Sequence, residues 1–443
     1  MDGCVDYSIS GPAFECKFSP VDQVAPPIYS RRILVFSRDD DNENSRKQAV
    51  FALRSGLQRT VNEFPILAGQ MGYTATGWTI KSGQARLRVK TLDMSFLDLA
   101  GTNFSEAMLP ADAISSVPTL QDPEHEWHSC RIQANFIRGG LLLVISINHT
   151  TMDGYGITKV IQALARNCHP QEASPPSANH VVLDRSALAA SAEAKADVER
   201  LDAYSIVRGT INLGPATSSV ITTRSFRLCP QALQALKDAA SPPPEVGWIS
   251  THDAVNALCW RAHARCRYGA KMISGEEMAR FAFPVDFRQL MRPPLPEDYI
   301  GNAVLMTKVE LPINMLLGPD GLRHAAAAIR AGVRRVDTSY ADNFIAVAKS
   351  LEQPGQLKIN LKLDQRHTAF GSTSYKSFAH STLEWDAAVG RYERLRLASG
   401  VTGEGMSIIL PVLRDGSWEV TMTLEEELER SLRTDHELMA YAS

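Results

Sequence analysis

The stretch LLLVISINHTTMDGYGITKVIQAL, residues 141–164, decides the fold. The chain alternates apolar and polar residues before this stretch and becomes continuously apolar in it, which predicts one strand over 135–147 that enters a buried sheet. Apolar residues then recur at spacings of three or four, which predicts a helix. These residues are Ile157, Val160, Ile161 and Leu164. The polar segment NHTTMDG, residues 148–154, is therefore expected at a strand-to-helix turn on the rim of a sheet.

Within this turn, three residues separate His149 from Asp153. A neutral imidazole, with an ordinary pKa of ~6.5, can take a proton from a bound hydroxyl at physiological pH. Asp153 is expected to open the helix, where the free N–H groups and the helix dipole favour a carboxylate. His149 is thus a candidate general base, and Asp153 is expected to hold the turn. The spacing alone is weak evidence, because a histidine beside a strand is more often structural.

The rest of the chain also alternates between strand and helix patterns. Strands are predicted for SRRILVFSR, TTRSFRL, ARFAFPVDFR and AVLMTKVEL, with WTIKSG and ARLRVKTLD as a meander and SIILPVL and SWEVTMTL as a hairpin. Helices are predicted for AVFALRSGLQRTVNEF, PQALQALKDAA, STHDAVNALCWRAHARCR, LEEELERSL and the Ala-rich segment near 322–337. The Pro- and Ser-rich segment HPQEASPPSA, residues 169–178, is typical of a linker. We therefore divide the chain into domains at 1–190 and 191–443.

Composition excludes several classes of protein. The 46 Lys and Arg residues against 49 Asp and Glu give a net charge of −3, which argues against a nucleic-acid partner. The longest apolar run, LLLVISI, is far shorter than the ~20 residues that span a bilayer. The acidic start MDGCVDYSIS does not resemble a signal peptide, and the seven scattered cysteines do not suggest a disulfide framework. We expect a cytoplasmic monomer with no membrane partner.

NHTTMDG resembles the HxxxDG signature of the BAHD acyltransferases, a CoA-dependent family. Other segments agree with that family in order along nearly the whole chain, namely SPVDQVAPPIYSRRILVF, NEFPILAGQM, PVDFRQLMRPPLPEDYIGNAV and LPVLRDGSWEVTMTLEEE. The compact form is most similar to fungal members that acylate secondary metabolites, such as trichothecene acetyltransferases. The chain departs from the family at its DFGWG signature, of which only Asp386 and Gly390 are present.

The resemblance implies an α/β fold similar to that of chloramphenicol acetyltransferase. It has two domains, each a mixed β-sheet covered by helices, with the active-site channel between them. It also implies that His149 takes the proton of an acceptor hydroxyl on a polyketide or terpenoid, or less often an amine, which then attacks the carbonyl of acyl-CoA. Acyl-CoA is a co-substrate in this scheme, and no metal, bound cofactor or acyl-enzyme is required.

The resemblance assigns roles to further residues. Arg288 matches the position expected to form a bidentate ion pair with Asp153, which would join the two domains. Thr373 and Ser374 match a segment whose hydroxyls would donate to the developing oxyanion. Asn302 is expected to order its loop or to contact the substrate. Structural support of the site is expected from Gly154, Asp386 and Gly390.

Other interpretations remain open. The HxxxDG signature also occurs in condensation domains of nonribosomal peptide synthetases, although Asn148 stands where those domains usually have a histidine. The chain is therefore also consistent with cyclisation, condensation or hydrolysis of a polyketide or a carrier-bound thioester, or with a non-catalytic binding protein. Cys259, His263 and Cys266 lie on one side of a predicted helix, but the sequence offers no fourth ligand, so a structural helix face is favoured over a metal site.

Overall fold

The structure is a computed structural model that describes residues 4–74, 77–117, 127–169, 183–207, 220–242, 247–269, 277–353, 356–359, 369–378, 380–398 and 402–443. Its strands are β1 (Val5–Ser10), β2 (Glu15–Cys16), β3 (Tyr29–Ser37), β4 (Gly69–Thr74), β5 (Gly77–Ser82), β6 (Gln84–Ser95), β7 (Trp127–His128), β8 (Cys130–Arg138), β9 (Gly140–Asn148), β10 (Tyr204–Ile206), β11 (Ile221–Leu228), β12 (Met278–Asp286), β13 (Val304–Pro312), β14 (Leu357–Ile359), β15 (Ala369–Ser374), β16 (Arg391–Arg396), β17 (Met406–Ile409) and β18 (Trp418–Glu425).

The α-helices are α1 (Pro20–Val24), α2 (Glu43–Glu63), α3 (Phe96–Gly101), α4 (Ala111–Ile114), α5 (Gly154–Cys168), α6 (Pro230–Ala240), α7 (Thr251–Tyr268), α8 (Ile313–Leu317), α9 (Gly321–Arg335), α10 (Thr338–Ser350), α11 (Glu426–Leu432) and α12 (His436–Tyr441). None of these described helices is both long and apolar enough to cross a membrane.

The first large sheet has the strand order β1-β6-β8-β9-β3-β16. Its strand β9 is buried along its whole length, and successive side chains of β9 enter two different apolar clusters. Leu141 and Leu143 pack in the cluster that includes α2 and α5, whereas Leu142 and Val144 pack in the cluster on the other side. Because both faces of β9 are covered, the strand is a continuous apolar run rather than an alternating one.

The single strand predicted over 135–147 is wrong. The structure has two strands there, β8 and β9, which pair antiparallel from Cys130 opposite Ile147 to Ile137 opposite Gly140. The chain reverses at Gly139, whose φ of 69° lies in the left-handed region. The prediction failed because apolar periodicity does not register a tight reversal, which the pair of glycines at 139–140 allows.

The predicted meander is also different in the structure. β4 and β5 form an antiparallel hairpin within a small sheet of order β2-β5-β4-β7. β6 instead joins the first large sheet, where it pairs antiparallel with β1 and parallel with β8. The strands themselves were predicted correctly, but the short gap between β5 and β6 does not determine whether neighbours in sequence also pair.

The second large sheet has the order β11-β18-β17-β15-β12-β13. It is mixed, because β15 pairs parallel with both β12 and β17 while the other pairs are antiparallel. The predicted hairpin of β17 and β18 is confirmed, and Gly416, with a φ of 79°, lies in its connection. Mixed sheets covered by helices confirm the predicted α/β class.

The strand β16 crosses between the two halves of the chain. It lies in the second half of the sequence but pairs with β3 at the edge of the first large sheet. A division at residue 190 remains a prediction, and β16 shows that such a division does not assign every strand to the sheet of its own half. Of the predicted linker at 169–178, only His169 lies within the described residues.

Candidate active site

The predicted turn between strand and helix is present, since β9 ends at Asn148 and α5 begins at Gly154. The side chain and carbonyl of Asn148 hold the turn by accepting hydrogen bonds from Thr150 N at 3.0 Å and from Thr151 Oγ1 at 2.6 Å. Within residues 148–153, His149 alone is partly exposed, and the other five residues are at most 1% exposed. The turn therefore presents its histidine and buries everything else.

Asp153 is the N-cap of α5 and is completely buried. Its Oδ1 accepts from Tyr155 N at 3.0 Å and from Gly156 N at 3.3 Å, which satisfies free N–H groups of the first helical turn. Its Oδ2 accepts from Ala303 N at 2.9 Å. Asp153 thus caps α5, as the sequence predicted, and it also ties the turn to the segment before β13.

The predicted ion pair between Asp153 and Arg288 is present, but it is not the bidentate fork that was expected. Nη2 of Arg288 contacts both carboxylate oxygens of Asp153, at 3.0 and 2.9 Å, while Nη1 binds Asp286 Oδ2 at 3.0 Å. Asp286 competes for Nη1 because it lies two residues away in the chain. Burial alone would lower the pKa of Arg288, but the charges of Asp153 and Asp286 outweigh burial and raise it.

Asn302 orders the turn from behind. Its Nδ2 lies 3.0 Å from the carbonyl oxygen of His149, 3.2 Å from that of Thr150 and 2.8 Å from Asp22 Oδ1. With the amide nitrogen committed to these acceptors, the geometry favours the loop-ordering interpretation of Asn302 over a contact with an oxyanion.

Gly154 lies against Arg32, a residue for which the sequence predicted only a place in a strand. A Cβ on Gly154 would be 3.1 Å from Phe378 Cζ and 3.4 Å from Arg32 Nη2. The fully buried Arg32 donates to Thr158 Oγ1 at 3.1 Å and to Gly154 O at 3.4 Å, and lies over the rings of Tyr375 and Phe378. The sequence did contain a signal for this contact, because a charged Arg32 within a largely apolar strand needs polar partners when it is buried.

Electrostatics keep His149 neutral. Burial is the largest effect and lowers its pKa below the ordinary 6.5, and the positive charge of Arg32 lowers it further. The charge of Asp153, the carbonyl of His149 itself and the amide of Asn302 act in the opposite direction without overcoming burial. A neutral imidazole at physiological pH is the form that accepts a proton.

Thr373 and Ser374 lie at the end of β15, and both are partly buried. Ser374 Oγ accepts from Lys376 N at 3.3 Å. The same segment continues to Tyr375 and Phe378, which cover Arg32, so it approaches the turn of His149. The role of Thr373 and Ser374 as donors to an oxyanion remains a prediction.

Asp386 and Gly390 form a second turn, just before β16. Asp386 Oδ1 accepts from Ala388 N at 2.8 Å. Gly390 has a φ of 115°, and a Cβ there would lie 2.5 Å from Ser37 O. Backbone geometry therefore explains the first and last residues of this segment.

The alternative metal ligands lie in the core beside the second sheet. Cys259 is 3% exposed, and the ring of His263 stacks on Phe370 with centroids 4.7 Å apart. Within the residues that the structure describes, no group of three or more His, Cys, Asp or Glu side chains could hold a metal ion.

A family model described as "Transferase family" matches residues 12–439. O-acetyltransferase astG of Aspergillus oryzae is 25% identical over 458 residues, covering 89% of this chain and 94% of astG. Trichothecene 3-O-acetyltransferase TRI101 of Fusarium sporotrichioides is 24% identical over 462 residues, covering 98% of each protein. Enoyl-CoA isomerase/hydratase claC of Penicillium crustosum is 30% identical over 463 residues, which are 97% of this chain. The chain spans about half of claC, at 51% of its length.

Solved structures agree with these relatives. The crystal structure of F. sporotrichioides TRI101 with coenzyme A and T-2 has a TM-score of 0.84 at 22% identity and covers 97% of this chain and 99% of that one. The crystal structure of vinorine synthase has a TM-score of 0.68 at 13% identity, covering 100% of this chain and 99% of that one. This likeness confirms the predicted fold.

Proposed function

The chain belongs to the Transferase family, the BAHD family indicated by its sequence, and on that premise we propose that it is an acyl-CoA-dependent O-acyltransferase of fungal secondary metabolism. The donor is supported by TRI101, whose structures were solved with coenzyme A. The hydroxyl acceptor is supported by the names of the relatives, which include trichothecene and eremophilane O-acetyltransferases. We further propose that the protein acts as a cytoplasmic monomer.

One observation carries the catalytic part of the proposal. In the turn at 148–153, a neutral His149 is the one partly exposed side chain, while Asp153 is buried and its oxygens are occupied by backbone N–H groups and Arg288. The carboxylate therefore fixes the turn and leaves the imidazole to meet the substrate.

In the proposed reaction, His149 accepts the proton of the acceptor hydroxyl as its oxygen attacks the thioester carbonyl carbon. The tetrahedral intermediate collapses with cleavage of the C–S bond, and the imidazolium returns the proton to the leaving thiolate of CoA. A positioned general base contributes roughly 10²- to 10⁴-fold to such a step. Thr373 and Ser374 are the proposed donors to the oxyanion, a role worth ~3 kcal/mol per donor.

The test is to incubate the protein with a panel of acyl-CoAs and a fungal metabolite extract, following free thiol and product mass. We expect thiol release together with a metabolite whose mass has increased by the acyl group. His149→Ala is expected to lose both signals by roughly 10²- to 10⁴-fold. His324→Ala, at an exposed position of α9, is the matched control and is expected to retain activity.

A second candidate reaction leaves the thioester intact. The relative claC, 30% identical to this chain, is named an enoyl-CoA isomerase/hydratase. Such a reaction would change the acyl group of a CoA thioester without releasing thiol.

Thiol release without an acylated product would instead indicate hydrolysis, and conversion of a metabolite without CoA would indicate cyclisation or condensation. Tight ligand binding without turnover would identify a binding protein.

A further inference from the structure

Three segments that are distant in sequence meet on the buried side of the His149 turn. They contribute Asp22 from α1, Arg185 from the chain after residue 182, and Asn302 from the segment before β13. The exposed fractions of these residues are 0%, 4% and 1%. A polar cluster this deeply buried is costly unless its groups satisfy one another.

Asp22 is the residue of the cluster that contacts both Asn302 and Arg185. Its Oδ2 accepts from Ser19 N at 2.9 Å and from Ser19 Oγ at 2.8 Å, and its Oδ1 accepts from Asn302 N at 2.9 Å and Asn302 Nδ2 at 2.8 Å. The guanidinium of Arg185 lies nearby, with Nε 3.7 Å from Oδ2. Burial alone would lower the pKa of Arg185, but the charge of Asp22 and smaller contributions from Cys16 and Tyr299 together outweigh burial and raise it, so Arg185 remains charged.

The two partners of Asp22 hold the backbone of the turn. Asn302 Nδ2 lies 3.0 Å from the carbonyl oxygen of His149 and 3.2 Å from that of Thr150. Arg185 Nη2 donates to the carbonyl oxygen of the next residue, Thr151, at 3.0 Å. The carbonyls of His149, Thr150 and Thr151 are thus contacted by two side chains, of which Asn302 is hydrogen-bonded to Asp22 and Arg185 is ion-paired with it.

The backbone around this cluster leaves space for Arg185. A Cβ on Gly301 would collide with the Arg185 guanidinium and would lie 2.8 Å from Tyr299 Oη. The guanidinium also lies over the Tyr299 ring, 5.6 Å from its centroid. Arg185 is therefore confined from several sides, and its position relative to the turn has little freedom.

We propose that Asp22 is a positioning residue for the reaction, which orients His149 by fixing the carbonyls of residues 149–151 through Asn302 and Arg185. The inference rests on the proposed role of His149 as the base. Asp22 itself does not touch the reacting atoms in this scheme. A small displacement of a reacting group can reduce the rate about 10²-fold. Substitution of Asp22 is therefore expected to lower turnover rather than to weaken binding.

The first variant is Asp22→Asn, which keeps the size of the side chain but removes the charge and one acceptor. We expect kcat to fall about 10- to 100-fold, with the KM for acyl-CoA nearly unchanged. Glu419→Gln is the matched control, because Glu419 is a buried carboxylate whose hydrogen-bond donors among the described residues are Arg396 and Asn103, which lie outside the turn. The control is expected to lose stability while kcat of the folded fraction stays at the wild-type value.

The decisive measurement combines Asp22→Asn with His149→Ala. If Asp22 acts through His149, the substitution at Asp22 will reduce the wild-type rate about 10- to 100-fold but will leave the residual rate of His149→Ala unchanged. An equal reduction in both backgrounds, or a kcat equal to that of Glu419→Gln, overturns the inference. Full activity of His149→Ala would instead contradict the proposed base, so the two failures are distinguishable.

A second variant covers the case in which Asp22→Asn does not fold. Asn302→Ala removes the amide that holds the carbonyls of His149 and Thr150 but leaves the ion pair of Asp22 and Arg185 intact. The same loss of kcat and the same dependence on His149 are expected. A wild-type kcat for folded Asn302→Ala overturns the inference.

Discussion

The turn of His149 and the turn before β16 are built from similar parts. Each has an aspartate that accepts from backbone N–H groups, Asp153 in the first and Asp386 in the second. Each has a close-packed glycine. In each, an arginine at the β3 strand or its end donates to backbone carbonyls: Arg32 to Gly154, and Arg38 to Ala388 and Val389.

The two turns differ in what they expose and in how they are anchored. The first exposes part of His149, and its aspartate is ion-paired with Arg288 from the second half of the chain. The second exposes Ala387, and Asp386 has no ion-pair partner within the described residues. A capped turn with a glycine therefore supplies only a scaffold, and the first turn becomes a candidate active site because it also has a partly exposed base and a charged anchor. Among its described residues the second turn has no comparable reactive group, so we expect the missing residues of the DFGWG signature to leave the proton transfer unaffected.

The largest difference is expected when each aspartate is replaced by alanine. Asp153→Ala removes a helix cap and leaves the buried Arg288 without its main counter-charge, so we expect a loss of about 3–5 kcal/mol in stability and at least a 100-fold loss of kcat. Asp386→Ala loses one hydrogen bond, worth about 0.5–1.5 kcal/mol. Urea unfolding and the acyl-transfer assay measure both variants. Equal losses of activity would show that the two turns do not differ in function.

Replacing each glycine by alanine is expected to give opposite patterns. Gly390→Ala is destabilising by about 1–3 kcal/mol, because the left-handed backbone and the Ser37 carbonyl both oppose a Cβ. Activity per folded molecule should remain unchanged. Gly154→Ala brings a Cβ to 3.1 Å from the ring of Phe378, which is partly exposed, so we expect stability to change little and the displacement of Phe378 and Arg32 to lower kcat. Thermal unfolding and initial rates distinguish the patterns, and a parallel response of both properties would contradict them.

Substitutions of Arg32 and Arg38 allow the two turns to be compared by the pH dependence of kcat/KM. His149 must be neutral to accept a proton, so activity is present above its pKa and is lost as pH falls through that value, which lies below 6.5. Arg32→Met removes a positive charge that lowers the pKa of His149, so the acid limb of kcat/KM should move to higher pH. Arg38→Met, which alters the other turn, should leave that limb in place. An unchanged limb in Arg32→Met would exclude electrostatic control by Arg32.

The sequence predicted the parts of the site that are local and missed those that the fold assembles. The spacing of His149 and Asp153 indicated a base and a capped turn, and the resemblance added Arg288 and Asn302. Asp22, Arg185 and Arg32 were missed as parts of the site, because they reach the turn from positions more than 30 residues away in the chain. Gly139 was missed because a reversal of the chain leaves no mark on apolar periodicity. The ion pair between Asp286 and Nη1 of Arg288 was also missed, because residue spacing does not show which carboxylate each guanidinium nitrogen contacts.

The smallest expected effect comes from restoring an aromatic residue to the second turn. Ala387 is exposed, so Ala387→Phe should change stability by no more than about 0.5 kcal/mol and should leave kcat and the KM for acyl-CoA unchanged. Val389→Trp is a useful contrast, because Val389 is completely buried and a larger side chain there is expected to cost about 1–3 kcal/mol. A lower KM for acyl-CoA in Ala387→Phe would show that this turn contributes to donor binding, and the scaffold interpretation of the second turn would then be wrong.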